Sequence, residues 1–171
     1  MTFLELAKKR FSVRKYDDKP IEQEKIDILL QAAQAAPTGA NEQPQRIYIL
    51  QSPEALEKLS SLCSCVFGAK TVMLFTYNTD EEWKNPLEEG VTAGIEDVSI
   101  IATHVMLQAE ELGIGSCWVN YFANSKIAEA FDIPKNERVV LLLTLGYPAA
   151  DAKPSPMHLK RKDIDSYVKY L

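Results

Sequence analysis

Arg10, Ser12 and Arg14 stand at alternate positions in the run Arg10-Phe11-Ser12-Val13-Arg14-Lys15-Tyr16. Polar and apolar residues alternate there with period two, which predicts an extended segment. In such a segment these polar side chains share a face, roughly 7 Å from one to the next. Two guanidiniums flanking a hydroxyl can grip a phosphate or another planar anion, because arginine offers a rigid fork of donors. A solvated strand edge would show the same spacing. A second basic cluster, Lys160-Arg161-Lys162, lies at the other end of the chain. The two clusters could meet around one anion in the fold, or each could be ordinary surface charge.

Pro37-Thr38-Gly39-Ala40-Asn41-Glu42-Gln43-Pro44 is the next stretch with chemical potential. Thr38, Asn41 and Gln43 bring donors and acceptors, and Gly39 lets a backbone approach closely. Such a loop suits hydrogen bonding to a heterocycle. It also suits a plain connector between helix and strand. Gly113-Ile114-Gly115-Ser116 resembles a piece of a dinucleotide fingerprint, but those glycines follow a strand and open a helix, and here the order is reversed. Cys63, Cys65 and Cys117, with only His104 and His158 beside them, lack the spacing of a zinc site. Glu96 and Asp97 sit where a helix dipole favours acids. Trp83 and Trp118 could stack on a ring, though core or interface roles are commoner. No serine, cysteine or lysine nucleophile has an evident set of partners.

The whole chain bounds these readings. At 171 residues it has the length of one domain. Its 46% apolar and 25% charged residues exclude disorder for the bulk of the chain. With 24 acids against 19 bases the net charge is −5, which argues against nucleic acid as a partner. No apolar run approaches the ~20 residues that span a bilayer. The N-terminal charges follow the apolar residues, the reverse of a signal peptide, and the odd cysteine count suits a reducing compartment. A cytoplasmic location is expected.

The elements that must position the candidate residues follow from periodicity. Thr2 and Glu5 predict a capping box and a helix to about Arg10. A second helix after Pro20 carries Ile26, Leu29, Leu30 and Ala33 on one stripe, and Pro37 ends it. Strands are expected at 46–50, 70–77, 116–121 and 139–145, the last buried because its apolar run is continuous. Ser52-Pro53 opens a helix to about Cys63. The clearest helix spans 93–112, with Val98, Ile101, Ala102, Val105, Ala109 and Leu112 on one face and Gly113 as its cap. Asn124 is expected to cap a helix to Phe131. Alternation of helices and strands, taken alone, suggests an α/β fold.

Together these segments resemble the FMN-dependent nitroreductase family. Residues 10–16 look like its Arg-x-Ser-x-Arg signature. Residues 35–44, Ala-Ala-Pro-Thr-Gly-Ala-Asn-Glu-Gln-Pro, look like its Ala-Pro-Ser-x-x-Asn-x-Gln-Pro loop. The stretch from Ile95-Glu96-Asp97 to Leu112-Gly113-Ile114-Gly115-Ser116-Cys117-Trp118 looks like its long central helix and following strand. The tail near Arg161 looks like its closing basic segment. Thr38 replaces the commoner serine, and residues 78–92 are short where larger members carry extra helices.

The resemblance implies an α+β fold rather than α/β. The expected form is a single domain over residues 1–171, with a mixed, mostly antiparallel sheet packed by helices, in an intertwined homodimer. It implies FMN at the subunit interface. Arg10, Phe11 and Ser12 would bind its phosphate end, with Arg161 and Lys160 joining from the tail. Arg14 would face the pyrimidine edge of the flavin and stabilise its reduced charge. Pro37, Thr38, Gly39, Asn41 and Gln43 would come from the other subunit, and Gly115 and Ser116 would offer groups near the reactive ring edge. The implied activity is that of an oxidoreductase. NADH or NADPH would reduce FMN, and a nitroaromatic or quinone-like small molecule would then be reduced, in a ping-pong scheme. A different flavin reaction, such as a dehydrogenase or dehalogenase with its own small substrate, is an alternative, and a non-catalytic flavin-binding redox sensor or reservoir would use the same binding residues.

Overall fold

Thr2 and Glu5 close the expected capping box in the computed structural model, which describes residues 1–171. The Glu5 N–H donates to Thr2 Oγ1 at 3.3 Å, and the Thr2 N–H donates to Glu5 Oε2 at 2.7 Å. Helix α1 (Phe3–Lys9) follows, and Arg10 leaves it with extended backbone. Helix α2 (Gln23–Gln34) buries Ile26, Leu29 and Ala33, three positions of the predicted stripe. Strand β1 (Gln45–Leu50), helix α3 (Pro53–Leu62) and strand β2 (Thr71–Asn78) come next, with the Ser52 hydroxyl capping Ala55 N. Then come α4 (Gly94–Glu111), β3 (Gly115–Val119), α5 (Asn124–Ala130) and β4 (Glu137–Gly146). Gly113 leaves α4 at φ +74°, a left-handed position that glycine adopts without steric cost.

The strands form one sheet in the order β1-β2-β4-β3, every neighbouring pair antiparallel. A single parallel bridge, Ser12 to Ser116, adds the segment after α1 to the edge of β3. The fold is therefore α+β, and the alternation that suggests α/β reflects chain order rather than parallel pairing.

Alternate residues of the two central strands feed two cores. Met73, Phe75, Leu141 and Leu143 pack with Ile26 and Leu29 of α2 and Ile101 and Val105 of α4. Val72, Leu74 and Leu142 pack with Leu59 of α3 and Ile127 of α5 on the other face. This two-sided burial explains why 139–145 reads as continuously apolar although its pairing is antiparallel.

Asn124 does not cap α5. Ala123 holds the cap position, while the Asn124 amide donates to Val139 O at 2.8 Å and ties the helix to β4. A backbone partner in the sheet outcompeted the local cap. Beyond β4 the chain holds no further strand, only one short helical turn at Ile164–Ser166.

Candidate active site

The segment after α1 is fixed by the β3 edge. Val13 donates its N–H to Ser116 O at 2.9 Å and is itself buried. Its side chain closes over Gly115, where a Cβ would stand 2.6 Å from Val13 Cγ2, so only glycine permits this approach. Farther on, Asp17 N donates to Tyr147 O at 2.8 Å and Ala149 N to Lys15 O at 3.0 Å. The Tyr16 hydroxyl lies 2.7 Å from Thr144 Oγ1 and donates towards Val13 O at 2.9 Å, and burial pushes its pKa well above the usual tyrosine range. With Val13 turned in, the alternation of an extended chain turns the flanking polar residues out.

Arg10, Ser12 and Arg14 consequently line one cavity of about 250 Å³, and the tail supplies Ser155, His158 and Arg161 to its other wall. The two basic ends of the sequence thus meet. No carboxylate lines this cavity. None of its guanidiniums forms an ion pair; the pairs of the chain lie elsewhere, as at Lys15–Asp151 and Arg46–Glu81. Three unneutralised arginines on a chain of net charge −5 make a strong local anion site.

Arg14 donates to Ser12 O at 3.3 Å and lies 6.0 Å from the centre of the Phe67 ring. Arg161 curls back on its own turn, donating to the carbonyls of His158 and Lys160. The Lys160 side chain is not part of the lining. Phe11 meets the His158 ring edge-on, with centroids 6.3 Å apart. Cys117 lies close by. Burial pushes its thiol up, while Arg14 and the Ser12 hydroxyl pull it down. Ser116 is buried in β3, and its Oγ has no hydrogen-bond partner within the chain. A buried hydroxyl without a partner costs stability, and Ser116 adjoins the segment that carries Ser12.

The loop at 37–43 stands apart from this cavity. Pro37, Thr38 and Gly39 line a different one of about 490 Å³, with Trp83, Asp97 and Ile100. Asn41 and Gln43 are exposed. Ala40, Asn41 and Gln43 all adopt positive φ, a strained conformation for non-glycine residues that clusters at functional loops. Two contacts hold the loop down. Gly39 N donates to Asp97 Oδ1 at 2.8 Å, and a Cβ at Gly39 would meet Trp83 Cβ at 3.0 Å. Asp97 is thus a loop anchor as well as a dipole partner. It is 2% exposed and its Oδ2 has no partner. Burial, foremost, and the nearby Glu96 and Glu82 push its pKa up against the Gly39 N–H.

Sequence reasoning missed Ser155, His158 and the anchoring role of Asp97. A hint existed for Asp97, an acid in the first turn of an otherwise apolar helix face. None existed for Ser155 and His158, which lie in a stretch without periodicity. The cysteines are all unpaired, and no cluster of three or more His, Cys, Asp or Glu side chains assembles.

The sequence profile of the nitroreductase family matches residues 7–67 and 63–147. This chain belongs to the nitroreductase family. The solved structure of a nitroreductase family protein from Clostridium difficile 630 is 38% identical, with a TM-score of 0.92, covering 99% of this chain and 98% of the other. An FMN-dependent nitroreductase from Clostridium difficile R20291 is 28% identical at a TM-score of 0.76, covering 98% of each chain. An NADPH-dependent oxidoreductase of Staphylococcus haemolyticus is 26% identical over 89% of this chain and 67% of the relative. The family's profile spans both the basic segment after α1 and the 37–43 loop.

Proposed function

We propose that this nitroreductase family chain is an FMN-dependent NAD(P)H oxidoreductase that carries out two-electron reduction of nitroaromatic or quinone-like acceptors by a ping-pong scheme. The observation that carries the reading is the cavity lined by Arg10, Ser12, Arg14 and Arg161 with no carboxylate to neutralise it. The residues present fit the cofactor: a dianionic phosphate complements unpaired guanidiniums, and the partnerless Ser116 Oγ awaits a polar group. FMN, when bound, accepts hydride from the nicotinamide and supplies two electrons to the acceptor.

The protein's part is binding and electrostatics. Arg10, Ser12 and Arg161 grip the phosphate, with Phe11 bracing the wall and Lys160 adding positive charge from the tail. Arg14 opposes the negative charge of the reduced ring, as an oxyanion donor does. Gly115 and Ser116 present donors from the β3 edge. Pro37, Thr38, Gly39, Asn41 and Gln43 serve the cofactor of a second copy. The separation of the loop's cavity from the basic one supports that division, since a single chain does not bring both around one ligand. The working unit is therefore a homodimer with FMN at the interface. No helix is long and apolar enough to cross a membrane. The odd count of three cysteines suits a reducing compartment, and a cytoplasmic location is part of the reading.

The test is an absorption spectrum of the purified chain after FMN loading and removal of excess. About one flavin per chain, bleached by NADH or NADPH and restored rapidly by a nitro or quinone acceptor, is expected. A folded protein that retains no flavin rejects the reading. Retained flavin that no nicotinamide reduces and no acceptor reoxidises rejects the enzyme and leaves a binder.

A further inference from the structure

One imidazole stands among the guanidiniums. His158 lines the basic cavity opposite Arg10, Ser12 and Arg14. It is half-buried, and its place is fixed from three sides. Its backbone N–H donates to Ser155 O at 2.8 Å, its backbone carbonyl accepts from Arg161, and its ring meets Phe11 edge-on. The charged groups around the cavity are Arg10 and Arg14 from the segment after α1 and Arg161 from the tail; Ser12, Ser155 and Met157 are neutral. Imidazole is the side chain whose charge ordinarily changes between pH 5 and 8.

We infer that His158 is a proton-switched ligand of the cofactor phosphate, so that FMN is held more tightly as protons become available. The inference rests on the FMN reading above and adds a regulation of that site. A phosphate dianion beside an imidazole favours the charged form of the ring. Anion binding and protonation therefore strengthen each other by the same factor. Lysine at this position would give a grip independent of pH in this range.

The test measures FMN affinity of the full chain by flavin fluorescence quenching from pH 6 to 8. Wild type, His158→Gln and His158→Lys are compared, with riboflavin as the phosphate-free probe. The phosphate's own titration is common to all variants and cancels in their ratio. The affinity loss in His158→Gln is expected to be near nil at pH 8 and to grow to about tenfold at pH 6, the size of one charge-assisted hydrogen bond. His158→Lys should bind FMN more tightly than wild type at pH 8 and equally at pH 6. Riboflavin should show no pH-dependent difference between variants. A loss in His158→Gln that is flat with pH, or one that appears equally with riboflavin, overturns the inference while leaving the cofactor site intact. Failure of the folded wild type to bind FMN at any pH removes the cofactor reading and the inference together.

Discussion

Gly39 donates its backbone N–H to the Asp97 carboxylate at 2.8 Å, joining positions 58 residues apart and pinning the 37–43 loop to the first turn of α4. Asp97→Ala leaves that amide without an acceptor. The expected loss is about 2 kcal/mol, or roughly 4–8 °C in Tm for a chain of this size. Asp97→Asn keeps an acceptor oxygen and removes a buried charge. Because burial raises the folded-state pKa above the unfolded one, the ionised carboxylate costs stability in the folded chain. That cost is absent at low pH, where both states are protonated, and builds as pH rises through the ordinary carboxylate value and then the raised one. Asn should therefore gain on wild type from pH 4 to pH 7 in thermal melts. A constant difference across that range rejects the assignment.

Gly115→Ala tests how the arginine segment is hung on the sheet. The new methyl would stand 2.6 Å from Val13 Cγ2 and 3.0 Å from Pro148 Cγ. Val13 must move, and with it the bond to Ser116 O that sets the register of Ser12 and Arg14. Overpacking of this kind costs about 1–3 kcal/mol. FMN affinity should fall as well, because the donors are displaced. Unchanged Tm and unchanged affinity in the same variant would show that the close approach is dispensable.

Charge reversal probes the anion site directly. Arg10→Glu and Arg161→Glu each place a carboxylate in a cavity that has none. Each should weaken FMN binding at least tenfold, since a charge-assisted hydrogen bond contributes about 1.5–3 kcal/mol. The loss should shrink for riboflavin, which lacks the phosphate. Lys160→Glu, outside the lining, should lose much less. Equal losses in all three would point to diffuse charge rather than a built site.

These residues differ in how far the sequence exposed them. The Thr2–Glu5 box, the stripe of α2, the Gly113 cap and the doubly buried β4 were legible because each rests on local chemistry or short periodicity. The extended run at 10–16 was legible for the same reason, and its face of polar residues forms the cavity wall. His158 and Ser155 were not legible, because the proline-containing tail has no repeat and is placed only by the rest of the fold. Asp97 was half legible: the helix dipole is a sufficient local reason for an acid, and it concealed a long-range bond to Gly39. Asn124 misled because its amide has a better partner in Val139 than any cap offers.

Phe3 and Leu4 are 70% and 60% exposed on α1. Phe3 borders an apolar groove of about 450 Å³ between α1, α2 and α4, with Leu6, Ala32, Ala35 and Leu107. A second copy of the chain would cover such a face. The double substitution Phe3→Asp with Leu4→Asp is expected to halve the mass seen by sedimentation while the fold persists. In the proposed dimer the 37–43 loop and the basic cavity share one FMN, so FMN should be lost with it. A wild-type monomer holding one FMN per chain would reject both the dimer and the shared site.

Arg14 differs from Arg10 and Arg161 in its proposed work. It is exposed, with its guanidinium 6.0 Å from the centre of the Phe67 ring and donating to Ser12 O at 3.3 Å. Near a reduced flavin it would favour the added negative charge over the neutral oxidised ring. Arg14→Ala should therefore retain FMN but lower its two-electron potential by about 30 mV, which corresponds to about 1.4 kcal/mol of lost stabilisation. Arg14→Lys should recover part of that shift, because the charge remains while the fork of donors is gone. Equilibration with reference dyes measures the potential on the loaded protein. A variant that still holds FMN at the wild-type potential would remove Arg14 from any electrostatic role on the ring.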